Sequence, residues 1–133
     1  MNLKSLSSEG KIAYLIKPIL RVLQEAGGQL ERSEIKERIS DLDDRIAEYA
    51  EIEKKSKKTG NVYKEFNFKF NFAIKDLFFA ELLTFTNSSP ITLTEKGLYL
   101  DIDGLDVEKD IIEVSAKYWS ELSQKNKKNK VSD

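Results

Sequence analysis

Apolar residues recur along the chain at two spacings, one typical of helices and one typical of strands. The longest such stretch covers residues 66–83. It begins with phenylalanine at every second position from Phe66 to Phe72 and continues at helical spacing through Leu77. The alternation alone would favour a half-buried strand. Because no helix breaker separates the two parts, we predict a helix from about Phe66 or Lys69 onward.

The segment before this stretch shows the pattern of shorter helices. Proline is favoured in the first turn of a helix, so the first helix is expected to begin at Pro18. Its end is predicted at Gly27-Gly28, because glycine commonly follows the last helical turn. Residues 1–11 are polar and are expected to form a loose arm or a short helical turn. A short strand over residues 29–31 is predicted to follow the first helix.

Two further helices are predicted before the basic run. One covers about residues 33–40, with Ser33 as the N-cap and two isoleucines on its buried face. The other covers about residues 45–55 and would be capped by Asp43 or Asp44. Its acidic middle and basic end suit the helix dipole.

A β-hairpin is predicted directly after the phenylalanine-rich stretch. Residues 83–86 and 91–94 are rich in threonine and apolar side chains at period two, and Asn87-Ser-Ser-Pro90 joins them. Thr94 is expected to cap a short helical turn, with Leu98 and Leu100 returning to the core. A helix flanked by positive charge and followed by a two-stranded ribbon is the order of parts in a winged helix-turn-helix.

Composition removes several classes of function. The net charge is −1, so a nucleic-acid partner would have to be bound by a local patch. The chain lacks cysteine and histidine, which removes thiolate chemistry, the usual general base and the commonest metal ligand. We expect no metal site and no cofactor. No apolar run approaches the ~20 residues that span a bilayer, and the N-terminus lacks a signal-peptide core, so a cytoplasmic protein without membrane contact is expected.

Positive charge is concentrated just before and within the start of the phenylalanine-rich stretch. Residues 54–69 contain six lysines and one carboxylate, a local charge of +5. Such a run is often only a solvated loop, but lysines here could also neutralise DNA phosphates. The candidate DNA-binding residues are Lys54, Lys55, Lys57, Lys58, Lys64, Asn67, Lys69, Asn71 and Lys75.

Four of these candidates lie on the predicted helix and point away from its core face. Asn67 and Asn71 could pair with adenine, whereas Lys69 and Lys75 could reach guanine or phosphate. The phenylalanines are expected to hold the helix to the core. A rival interpretation is that exposed phenylalanines stack on the bases of single-stranded nucleic acid.

These segments together resemble the N-terminal winged-helix domain of Mrr-type restriction endonucleases. The resemblance rests on Pro18-Ile-Leu-Arg-Val-Leu23, Gly27-Gly28, Asn71-Phe-Ala-Ile-Lys-Asp-Leu77 with Ala80-Glu-Leu-Leu83, and Ile91-Thr-Leu-Thr-Glu-Lys-Gly97, and it covers about residues 12–100. It implies a double-stranded DNA-binding module that selects the target for a linked nuclease domain. The four closely spaced phenylalanines and the scarcity of nearby arginines depart from the family pattern.

The sequence contains residues that match a nuclease motif by letter, but their predicted secondary structure does not suit a metal site. Asp43 followed by Glu53-Lys54-Lys55 matches the bare D…ExK pattern. Such a site needs its carboxylates to converge on a metal ion, whereas these residues fall on a predicted helix and loop. We therefore expect no catalytic residues in this chain.

A strong amphipathic helix is predicted over residues 106–122, outside the minimal winged helix. It could pack back on the domain, pair with its copy in a homodimer, or lead into a further domain. The candidate interface residues are Ile111, Val114, Tyr118 and Trp119. The lysine-rich tail that follows could touch DNA or be a flexible end.

The predicted fold class is mainly α with a small β-hairpin, a winged helix-turn-helix with an extra C-terminal amphipathic helix. The predicted divisions are an arm over 1–11, the winged helix over 12–100, the extra helix over 101–124 and a basic flexible tail over 125–133. The predicted function is duplex DNA binding for a restriction or defence endonuclease whose catalytic domain is not in this chain. The alternative is a stand-alone winged-helix regulator or protein-interaction module.

Overall fold

The computed structural model describes residues 3–86 and 89–131, with side chains for residues 3, 5–86 and 89–123. The fold is mainly helical with small antiparallel sheets, which confirms the predicted class. After a 3₁₀ turn at Leu3–Ser5, the elements are α1 (Ser8–Glu25), β1 (Gln29–Leu30), α2 (Arg32–Leu42), α3 (Asp44–Glu51), β2 (Lys54–Lys55), β3 (Val62–Tyr63), α4 (Glu65–Phe79), β4 (Leu83–Thr84), β5 (Ile91–Leu93), α5 (Glu95–Leu98), a π-helical turn (Val107–Ile112) and α6 (Glu113–Val131).

The first helix begins ten residues earlier than predicted. Ser7 is its N-cap, and the Ser7 hydroxyl accepts a hydrogen bond from the Gly10 amide. Pro18 lies inside α1, where proline costs about 3 kcal/mol. The turn before it buries Leu15 and Ile16 completely, and each such burial stabilises by about 1.5–3 kcal/mol. The prediction of a start at Pro18 was wrong because burial outweighs the cost of the proline.

The glycine pair ends α1 as predicted. Gly27 has a φ of 87°, in the left-handed region that favours glycine. The Gly28 amide donates to the Leu23 carbonyl, which closes the last turn. The Gly28 carbonyl in turn accepts from the Leu93 amide at 2.7 Å, so the end of α1 is joined to β5.

Helices α2 and α3 form where the sequence predicted helices, but the N-cap of α2 and the end of α3 differ from the prediction. The predicted helix over residues 45–55 was too long, because residues 54 and 55 pair as strand β2. The predicted N-cap Ser33 lies inside α2, because the helix begins at Arg32 with Glu31 as its N-cap. Asp43 caps α3 as predicted, with its carboxylate accepting from the Arg45 amide at 2.9 Å. Helix α3 ends at Glu51, before the basic run.

The basic run forms a hairpin that the sequence did not reveal. Lys54 pairs with Tyr63 and Lys55 with Val62 in an antiparallel ladder. The Ser56 amide donates to the Asn61 carbonyl, and Gly60 takes a φ of 74° at the turn. Lysine is a weak strand former, which explains why composition indicated only a loop here.

The end of α4 is fixed by the predicted hairpin. The Leu82 amide donates to the Leu77 carbonyl across Glu81, which has a φ of 64°. The Thr94 hydroxyl donates to the Glu81 carbonyl at 2.7 Å and accepts from the Gly97 amide, so the predicted cap is confirmed. This closure stops α4 at Phe79, four residues before the end of the predicted stretch.

The three-stranded sheet has the order β1-β5-β4 and is antiparallel throughout. The predicted connector Asn87-Ser-Ser-Pro90 lies partly outside the described residues. Where it is described, the Ser89 hydroxyl bonds the Thr86 amide at 3.0 Å. Leu100 packs partly against the core, but Leu98 is exposed, contrary to expectation.

The C-terminal helix continues through Val131, so most of the predicted flexible tail has helical backbone. Ile111, at the π-helical turn, is buried in the core, and α6 packs on α4. The lysine side chains of the tail and residues 132–133 lie outside the part that the structure describes.

We predict that Gly97→Ala destabilises the fold by about 1–3 kcal/mol, because a methyl group there would collide with the Leu82 carbonyl. Gln24 also bonds the Gly97 carbonyl at 3.0 Å, which limits relief by backbone movement. Urea denaturation would measure the loss. The exposed neighbour Glu95→Ala should change the free energy of unfolding by no more than ~0.5 kcal/mol. Equal stability of the two variants would contradict the prediction.

Candidate nucleic-acid interface

Helix α4 has one face in the core and one face towards solvent. Phe66, Phe70, Ile74 and Leu77 are buried. The opposite face carries Asn67, Asn71 and Lys75, all exposed, as the sequence predicted. These three positions are spaced by four residues, so their side chains form one row along the helix.

The expectation that the phenylalanines hold α4 to the core is only half correct. Phe68 is 53% exposed, Phe72 41% and Phe78 42%. The period of two placed Phe68 and Phe72 with Phe66 and Phe70, but a helix turns 100° per residue, so Phe68 and Phe72 fall on the outer side. The exposed face of α4 is therefore both polar and aromatic.

The carboxylate of Glu65, the first residue of α4, joins four elements. Its Oε2 accepts from Lys11 Nζ of α1 at 3.0 Å and from the Tyr49 hydroxyl of α3 at 2.6 Å. Its Oε1 accepts from Lys54 Nζ of β2 at 3.0 Å. The lysine-rich hairpin is thereby attached to the start of the candidate recognition helix.

These contacts keep Glu65 ionised. Burial raises the pKa of Glu65, but the hydrogen bonds from Tyr49, Lys11 and Lys54 outweigh it and hold the pKa at about 2. Burial, and after it the bond to Glu65, raises the pKa of Tyr49, which therefore remains a neutral donor. Lys54 was a candidate for phosphate binding, but its charge is already paired with this carboxylate.

The other hairpin lysines remain at the surface. Lys55, Lys57 and Lys58 are exposed, and together with Lys54 they line an open cavity of about 770 Å³. The remaining lining residues come from the hairpin and from α4: Ser56, Thr59, Asn61, Tyr63 and Phe68. Since Phe68 belongs to α4, the basic hairpin and the outer face of that helix meet at one surface.

The remaining candidate lysines are Lys64, Lys69 and Lys75. Lys64 is the N-cap of α4 and is partly buried. Lys69 Nζ donates to the Ser8 hydroxyl at 2.6 Å, and Lys75 Nζ lies 5.7 Å from the centre of the Trp119 ring. These contacts direct Lys69 towards α1 and Lys75 towards α6.

Arg32 belongs to the same surface and was missed from the sequence. Its guanidinium donates to Asn71 Oδ1 at 3.1 Å and lies 4.9 Å from the centre of the Phe85 ring. The contact between α2 and α4 spans 39 residues of sequence. The local sequence could not have indicated this contact, because Arg32 and its neighbours have the pattern of an ordinary arginine at the surface of a helix.

The predicted interface residues are largely used within the chain. Trp119 Nε1 donates to Asp76 Oδ1 of α4 at 3.1 Å, and its ring packs against Phe72 and Phe79. Tyr118 stacks on Phe79 at 5.2 Å and remains 40% exposed. Of the other two candidates, Ile111 is buried and Val114 partly buried.

The sequence model of the Mrr N-terminal domain family matches residues 13–101. This range includes the basic hairpin, α4 and the three-stranded sheet. The chain belongs to the Mrr N-terminal domain family. The resemblance inferred from sequence motifs is thereby confirmed. The Mrr N-terminal domain is distinct from a catalytic nuclease domain.

Comparison with curated proteins gave no match, and neither did comparison with solved structures. Of the residues that match the letters D…ExK, Asp43 caps α3 and accepts from the Tyr14 hydroxyl at 2.6 Å, whereas Glu53 and Lys55 are exposed. In the part of the chain that the structure describes, no helix has the length and apolar character to cross a membrane.

We predict that Glu65→Gln lowers the free energy of unfolding at pH 7 by about 2 kcal/mol, because the ion pairs with Lys11 and Lys54 are lost and one accepting oxygen is replaced by an amide group that only donates. The pKa of Glu65 falls from 4.5 in the unfolded chain to about 2 when folded. The charged form therefore stabilises the fold above pH 4.5, and this contribution is lost as the pH falls towards 2. Urea denaturation from pH 7 to pH 2.5 should show the two proteins converging. A difference independent of pH would contradict this assignment.

The ionisation of Asp76 is expected to change the free energy of unfolding with pH in the direction opposite to that of Glu65. Burial raises the pKa of Asp76, against hydrogen bonds from Trp119 and Ser115 that lower it. Stability is then greatest at low pH and falls as the pH rises from 3.8 through the folded-state pKa. We expect Asp76→Asn, which keeps an oxygen acceptor for Trp119, to be at least as stable as the parent at pH 7. The advantage should vanish at acidic pH in urea denaturation. A clear loss of stability at pH 7 would show that the charge itself is required.

Proposed function

We propose that this chain is a winged-helix module that binds double-stranded DNA for an Mrr-type restriction system. In this proposal α4 is the recognition helix, and the β2–β3 hairpin supplies most of the phosphate contacts. The single observation that carries the proposal is the junction of the lysine hairpin with the outer face of α4, which Tyr63 and Phe68 form at 5.7 Å.

The order of elements supports this assignment. Helices α1, α2 and α4 with a three-stranded sheet of order β1-β5-β4 are the parts that a winged helix requires. A helix that lies across the major groove reads base edges with its outer side chains. Asn67 and Asn71 have the amide groups that pair with adenine, and Arg32 holds Asn71 in position.

The distribution of charge supports it as well. The local charge of +5 over residues 54–69 stands in a chain of net charge −1. The only carboxylate in that stretch is Glu65, and it faces Lys11, Tyr49 and Lys54 rather than the open surface. A phosphate near Lys57 would therefore meet exposed lysines, and the carboxylate within residues 54–69 is already paired with Lys11 and Lys54.

Membership of the Mrr N-terminal domain family supports a link to a nuclease domain. We propose that this module brings duplex DNA to such a domain, either covalently joined or as a bound partner. A homodimer through the C-terminal helix remains a prediction. Of the residues named for it, Tyr118 is exposed, whereas Trp119 and Ile111 are packed within the chain.

An alternative is a regulator or protein-interaction module. The observation that favours it is the exposure of Phe68 and Phe78 on the outer face of α4, since exposed aromatic side chains often mark protein contacts. In a protein-interaction module the lysine hairpin would contribute only solubility, and duplex binding would be absent at low salt.

We predict that replacing Lys55, Lys57 and Lys58 together by alanine weakens duplex binding and lowers its salt dependence. Each lost phosphate contact should reduce the slope of log K against log salt by about 0.9. Lys54 is left in place because it stabilises Glu65. A shift assay or fluorescence anisotropy over a salt titration measures both effects.

The matched control is Lys109→Ala with Lys117→Ala, two exposed lysines of the π-helical turn and α6. This change also removes positive charge but leaves the hairpin intact. We expect a much smaller change in slope than for the hairpin variant. Equal effects of the two variants would indicate a general charge effect, and failure of the parent protein to bind duplex at low salt would refute the proposed function.

A further inference from the structure

The cavity between the β2–β3 hairpin and α4 combines an aromatic surface with a basic one. Its wall contains the rings of Tyr63 and Phe68, which are 36% and 53% exposed. Its rim carries the hairpin lysines. Exposed aromatic rings beside lysines are the elements with which proteins bind unpaired nucleotides.

The two rings meet edge to face, with an interplanar angle of 77°. They therefore form a corner rather than a closed stack. A flat base can lie against one ring while its edge contacts the other, since stacked and edge-to-face contacts are both favourable for aromatic rings. The volume of about 770 Å³ is within the range of small-molecule sites.

The polar rim suits the remainder of a nucleotide. Lys55, Lys57 and Lys58 are exposed around the cavity and can reach a phosphate. The Asn61 carboxamide offers a donor and an acceptor for the edge of a base. Among the described residues that line the cavity none is acidic, and Glu65 beside it is engaged by Lys54.

We propose that this cavity binds one unpaired nucleotide of the DNA, with its base against Tyr63 and Phe68 and its phosphates near the hairpin lysines. The inference rests on the proposed function, because the DNA is held by the same module. Bases inside a duplex stack on each other and expose no face. Only a base that is extrahelical or single-stranded can occupy the corner between the two rings.

The test uses the full chain and three duplexes of one sequence: fully paired, with a single-nucleotide bulge, and with an abasic site in that bulge. Anisotropy titrations give the affinities. Stacking is worth about 1–3 kcal/mol per base, so the bulged duplex should bind about 5- to 150-fold more tightly than the paired one. The abasic bulge should lose this preference, which separates stacking from the flexibility of a bulge.

The variant Tyr63→Ala with Phe68→Ala should abolish the preference for the bulge, measured as the ratio of the affinities of this variant for the bulged and the paired duplex. Tyr63→Phe retains the ring and should retain the preference. Tyr99→Ala is the matched control, because Tyr99 is an aromatic residue 78% exposed outside the cavity.

The outcomes distinguish this inference from the proposed function. Equal binding of paired and bulged duplexes, or a preference that survives the double variant, would overturn the nucleotide site and leave duplex binding intact. A preference that persists for the abasic bulge would also overturn it. Absence of binding to every duplex would refute the proposed function and this inference with it.

Discussion

The arrangement of the candidate interface depends on one carboxylate. Glu65 stands at the start of α4, where the helix dipole favours a negative charge, and it accepts bonds from α1, α3 and β2. The net contribution of a partly buried ion pair to the free energy of folding is small, because desolvation of the charges offsets much of their attraction. Its main consequence is positional: the hairpin is held against the start of α4, and the negative charge is directed inward.

Local signals predicted the parts of the fold that depend on neighbouring residues. Gly27-Gly28, the Asp43 cap, the β4–β5 hairpin and the Thr94 cap each involve a contact within about ten positions along the chain. The predictions fail where contacts between residues far apart in the sequence determine the structure. Pro18 is tolerated because α1 is buried on both sides of it. The Arg32–Asn71 and Lys11–Glu65 bonds span 39 and 54 residues, beyond any local pattern.

The C-terminal helix limits which part of α4 can face a partner. Trp119 bonds Asp76 and packs on Phe72 and Phe79, so α6 covers one side of α4. On the other side, Arg32 contacts Asn71 and the ring of Phe85 near the sheet. Between these two boundaries lies a narrow strip of α4. In the proposed docking, this strip is the part of α4 that would face the major groove.

The two contributions to DNA recognition would then come from different elements. Affinity from phosphate neutralisation depends on charge near the DNA backbone, and the hairpin exposes Lys55, Lys57 and Lys58. Discrimination between bases depends on side chains held in a fixed direction, as Asn71 is by Arg32. The hairpin is attached to α4 through Lys54 and Glu65. Changes in its turn would therefore leave the row of Asn67, Asn71 and Lys75 in place. The module could therefore change its strength of binding through the hairpin while the direction of the Asn71 side chain stays the same.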